Sequence, residues 1–80
     1  MLQSQASASA RQALTEAAIV AKALKDLSWK EIAEGTGYAR EFVTAAVLGQ
    51  HPLPKEAAQM VGERLGFDAG QILLLQATPI

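Results

Sequence analysis

The chain has 80 residues, half of them apolar, a formal net charge of −1 and no cysteine. One small domain fits that length. The composition excludes a disulfide framework and a thiolate metal site, and the near-neutral charge argues against a general polyanion binder. No apolar run approaches the roughly 18 residues of a membrane span. The opening MLQSQASASAR lacks the basic and then apolar regions of a secretory signal. A cysteine-free chain fits a reducing cytoplasm. Alanine supplies much of the apolar fraction, so the expected core is modest, and such domains gain from association.

In chain order, residues 1–8 are small and polar and read as a flexible N-terminal arm, with the domain proper over 9–80. Leu14, Ala17, Ala21 and Leu24 recur at helical spacing and predict a helix over 9–27, its stripe widened by Ala10, Ala13, Val20 and Leu27. Ser28 is placed to cap a second helix, with Glu31 as its capping-box partner. Gly35-Thr36-Gly37 ends that helix, and a third runs from about Ala39 to Leu48. Gly49-Gln50-His51-Pro52 reads as a loop. Pro54 suits the first turn of a fourth helix that stops before Gly66. Asp68 caps a fifth, with Gln71 three residues on, and Pro79 breaks any continuation of it. No strand pattern or internal repeat is present. The expected fold is all-α, five short helices in a repressor-like helix-turn-helix arrangement.

The helix-turn-helix rests on Ala33, Gly37 and Val43. Ala33 lets the second helix approach closely, Gly37 supplies the positive φ of a tight turn, and Val43 anchors the following helix. Ile32, Val47 and Leu48 extend the apolar side. Two features do not suit a self-sufficient monomer. Ile72-Leu73-Leu74-Leu75 points apolar side chains to all sides of one helix, which calls for burial all round, so at least one of Leu73, Leu74 and Leu75 is expected to meet another domain or chain. Ile19 falls amid the polar face of Gln12, Thr15, Lys22 and Asp26 and is a second interface candidate.

Several segments carry a family resemblance. They are Leu27-Ser28, Glu31 to Gly37, the run Phe42 to Gln50 (FVTAAVLGQ), Leu53-Pro54, Ala57-Ala58, Ile72 to Gln76, Pro79 and the opening Gln3-Ser4-Gln5. Over essentially its whole length the chain resembles the N-terminal domain of cyanase (cyanate hydratase). The resemblance implies an enzyme that turns cyanate and bicarbonate into ammonia and carbon dioxide through carbamate, without metal or organic cofactor. It implies decamers built from dimers, with active sites between subunits. The family's catalytic arginine, glutamate and serine lie in a C-terminal domain that would begin where this chain stops. No position here matches that motif; Arg40, Glu41 and Ser28 share residue types with it but not its location. The resemblance therefore implies an assembly domain, inactive alone, whose partners are other copies and the catalytic half.

The residues themselves offer no competing chemistry. His51 is the only histidine and sits in a loop, so neither a metal site nor a tuned acid–base pair forms around it. Glu31 and Glu34 share a solvated face with Lys30, and Lys22 with Asp26 makes a surface pair of little worth. Gly35-x-Gly37 follows a helix instead of a strand, and Arg40 takes the third glycine position of a dinucleotide loop. No catalytic, cofactor or metal residue is assigned. Two readings stay open beside the assembly domain. One is DNA binding, for which the recognition helix would offer Ala39, Arg40, Glu41, Thr44 and Ala45; only Arg40 is a strong contact and Glu41 repels phosphate. The other is a freestanding protein-interaction domain.

Overall fold

The computed structural model describes residues 2–77, with side chains from Ser9 onward. Five helices follow one another: α1 (Leu2–Leu24), α2 (Trp29–Ala33), α3 (Arg40–Val47), α4 (Lys55–Leu65) and α5 (Ala69–Gln76). There is no strand among the described residues, so the all-α expectation holds. α2 and α3 form the helix-turn-helix, α4 and α5 a helical hairpin, and α1 lies against both α4 and α5.

The first helix differs from its prediction at both ends. Helical backbone begins at Leu2, where a loose arm was expected. Residues 2–8 contain neither glycine nor proline, and their glutamines and alanines are competent helix formers. The helix ends at Leu24 instead of Leu27, because Asp26 takes a left-handed conformation, φ +54°. The Leu27 N–H then returns to the Lys22 carbonyl at 2.9 Å and the Asp26 N–H to Ala23 at 3.2 Å. This is a Schellman stop with aspartate where glycine is usual.

The buried stripe of α1 also differs. It runs through Arg11, Leu14 and Ala18, while Val20 is exposed and Leu24 is 82% exposed. An arginine in the stripe hid the true face from an apolar-only reading. The predicted Lys22–Asp26 pair does not form. Lys22 instead sets its ammonium 5.3 Å from the Trp29 ring centroid, and the one ion pair among the described residues is Arg40–Glu41.

The shorter elements follow their local signals. Ser28 and Glu31 form a complete capping box at α2, Asp68 and Gln71 another at α5. Pro54 is the N-cap of α4 and Gly66 closes that helix with φ +77°. The core joins Leu14 and Ala18 to Ile32, Val43, Val47, Val61, Leu65 and Leu75. α5 approaches α4 closely at Gly62, where an added Cβ would stand 2.3 Å from Ile72 Cγ1. Leu53 ties the α3–α4 loop to α5 by donating to the Leu75 carbonyl at 2.8 Å. Pro79 lies outside the described residues.

Candidate functional site

The helix-turn-helix is built as the spacing required. Ala33 and Val43 are buried and Gly37 has φ +85°. Thr36 donates to the Ala33 carbonyl at 2.7 Å and pins the turn from within. Ile32 and Val47 join the core, but Leu48 does not: it is exposed and borders a groove of about 370 Å³ with Trp29, Thr44 and Ala45. Arg40 and Glu41 rim this groove, 3.6 Å apart in a solvated pair. The face that a DNA-binding relative would turn to the duplex is thus an apolar depression with one cation partnered by one anion. Such a face supplies little phosphate positioning or base readout.

Both ends of this unit are closed from outside it. Arg64 of α4 donates to the Ile32 carbonyl at 2.9 Å and to that of Glu31 at 3.3 Å. At α3, the four terminal carbonyls all find donors. Leu48, Gly49 and Gln50 amides serve Thr44, Ala46 and Ala45, each at 3.0 Å. From α1, Thr15 donates to Val47 at 2.9 Å, and an Arg11 Nη2 N–H reaches Ala46. This completes the accounting that helix ends demand, and it sets a cation at a helix C-terminus, where the dipole favours one. Arg11 is only 7% exposed, and burial pushes its guanidinium pKa down. Its Nε and Nη1 have no hydrogen-bond partner among the described residues. The sequence reading missed both residues. Thr15 and Arg11, four apart on α1, share a face whose target lies more than thirty positions away.

The interface candidates separate. Ile19 is 49% exposed, on the same helical side as Thr15 and Lys22. Leu73 is 65% exposed and Leu74 half-buried. Leu75 is a correction: it is fully buried in the chain's own core, because its direction on α5 coincides with that of Ile72, and it offers nothing to a partner. Between α1 and α5, Ala10, Ala13, Leu14, Gln71 and Leu74 border a second groove, of about 250 Å³.

No group of acidic, histidine or cysteine side chains suited to a metal ion occurs among the described residues, nor any helix long and apolar enough to cross a membrane. His51 keeps Nδ1 3.1 Å from the Pro52 carbonyl, and its ring stands 4.3 Å from Phe42, which stacks in turn on Tyr38. This small aromatic ladder fastens the α3–α4 loop to α3.

Residues 11–79 match the family described as cyanate hydratase, N-terminal. The whole chain aligns with curated cyanate hydratases, 58% identical to that of Pseudomonas putida strain W619 and 60% to that of Pseudomonas entomophila strain L48. A cyanate hydratase of Burkholderia orbicola strain MC0-3 is 52% identical. In each case the chain covers 51% of the relative, so it spans about half the length of the proteins it matches. A helix-turn-helix unit closed by its own neighbours, matched along its length by these proteins, belongs to the cyanate hydratase family as its N-terminal domain.

Proposed function

We propose that this domain serves the assembly of a cyanate hydratase and the placement of its catalytic half. The complete enzyme would convert cyanate and bicarbonate to ammonia and carbon dioxide through carbamate. The observation that carries this reading is the unbroken match of the whole chain to one half of its relatives. The supporting geometry is an apolar surface left over after the core is made: Leu73 on α5, and Leu24, Val20 and Ile19 on α1. A leucine left exposed forgoes roughly 1.5–3 kcal/mol of burial, which favours association with other copies and with the catalytic half. A cysteine-free composition supports a reducing, cytoplasmic setting.

The test is direct. The purified 80-residue chain should release no ammonia from cyanate plus bicarbonate above background. Joined to the second half of the Pseudomonas putida relative, it should yield an active, oligomeric enzyme. Bicarbonate-dependent turnover by the 80 residues alone, free of host enzyme, would show that the chemistry lies within these helices.

A further inference from the structure

α2 has only five residues, and its C-terminal end is held by two side chains of α4. Arg64 supplies hydrogen bonds, to the Ile32 carbonyl at 2.9 Å and the Glu31 carbonyl at 3.3 Å. Met60, one turn earlier, supplies packing. Residues four apart on a helix are neighbours on one face, and these two also meet at one point of the turn. A Cβ added to Gly35, where φ is +80°, would stand 3.2 Å from the Met60 ε-methyl carbon and 3.5 Å from Arg64 Nη2. The Met60 side chain is half-buried, so a small solute can reach it. Among the described residues Arg64 has no carboxylate partner, and its N–H groups meet only backbone carbonyls. Any new acceptor beside it competes with the end of α2.

We infer that Met60 is an oxidation site for peroxide, and that its sulfoxide releases α2 by capturing Arg64. The thioether sulfur attacks one oxygen of hydrogen peroxide, and the O–O bond breaks. Sulfur gives up an electron pair, and the other oxygen departs as water with the proton of the transferred hydroxyl. An apolar side chain thereby becomes a polar one with an acceptor oxygen. A half-buried acceptor needs a donor, and Arg64 is the cation beside it. The Glu31 carbonyl lies at the surface and can turn to water instead. Packing on Gly35 and the hydrogen bonds of Arg64 are then lost together. Trp29 opens α2 and borders the outward groove, so the change reaches that face. The chain has no cysteine to intercept the oxidant, and its other methionine is Met1. This switch belongs to the α2–α4 contact and is independent of the proposed assembly role.

The 80-residue chain is treated with hydrogen peroxide and followed by tandem mass spectrometry and amide hydrogen exchange. Met60 should gain one oxygen. The Glu34 and Thr36 amides close the end of α2 on the Glu31 and Ala33 carbonyls. In the oxidised chain both should exchange at least about tenfold faster, as local opening requires, while the Leu75 amide of α5 keeps its rate. Methionine sulfoxide reductase should restore the slow rates. Met60→Leu, which retains Met1, should be unmoved by peroxide. Arg64→Leu should exchange fast at both amides before oxidation and gain little from it. A Met60 left intact while Met1 reacts would overturn the site. Oxidised Met60 with Glu34 and Thr36 unchanged would overturn the switch. A further gain of about tenfold in oxidised Arg64→Leu, or equal acceleration at Leu75, would overturn capture of Arg64 as its route.

Discussion

The helix-turn-helix and α5 solve the same problem in opposite ways. α3 has its apolar side chains segregated: Val43, Ala46 and Val47 are buried while Arg40, Glu41 and Leu48 stay out. The core-facing side of α3 is covered inside the chain, although Phe42 and Leu48 remain exposed. α5 has four consecutive apolar residues and no polar face to mark the outside, so only Ile72 and Leu75 are fully taken up. A segregated helix states its orientation. A helix apolar all round leaves orientation to its neighbours, and whatever they do not cover remains for a partner.

The sharpest way to break this comparison lies within α5. Leu75→Ala should cost about 2–5 kcal/mol, as for other buried leucines. Leu73→Ala in the dilute monomer should stay within about 0.5 kcal/mol. Chemical denaturation of the two variants decides it, and similar losses would mean that α5 is rotated from the orientation described.

On the helix-turn-helix side the expected effects are intermediate. Val43→Ala should cost about 1–3 kcal/mol through lost burial and a small cavity. Gly37→Val should cost about as much, though an added Cβ there meets nothing within 4 Å. Its penalty is the φ of +85° alone. Gly37→Asn, which tolerates the left-handed region, should therefore recover most of the stability on the same denaturation curve, and failure to do so would point to crowding instead of conformation.

A smaller pair of effects separates the two α1 side chains that close α3. Thr15→Val leaves the Val47 carbonyl without its donor and should cost about 1 kcal/mol. Arg11→Met removes a buried cation that has two unpartnered nitrogens, while Ala46 keeps the Gly49 amide. That change should lie near zero or stabilise by about 1 kcal/mol. A large loss on Arg11→Met, read from thermal unfolding, would show that the charge at the end of α3 matters more than its desolvation.

The smallest effect is a titration. The Ser28 backbone N–H and then its side chain hold the Glu31 carboxyl below its ordinary 4.5. A lowered folded pKa means stability fully present above the unfolded value and lost as pH falls through the folded one. The unmodified chain should therefore show a slight extra loss of stability in acid below about pH 4.5 that Glu31→Gln lacks. Parallel pH profiles would remove the carboxylate from the cap's energetics.

Legibility followed the range of the interaction. The capping boxes at Ser28 and Asp68, the turn glycine Gly37 and the stop at Gly66 were read directly, because each is a contact between residues a few positions apart. The family resemblance lay in the same kind of local run. Asp26 was misread because a non-glycine residue took the left-handed position, and Arg11 because a charged residue occupies a core stripe.

The sequence by itself determined that there are five helices, where most of them start and stop, and which side of the helix-turn-helix faces inward, since propensity, capping and periodicity act within one or two turns. Only the tertiary structure decided that Leu75 is buried and Leu73 is not, that Leu48 faces outward, and that Arg11 and Thr15 of α1 close α3. Those outcomes depend on which surfaces arrive from distant parts of the chain, and no local pattern encodes the direction from which a neighbour comes.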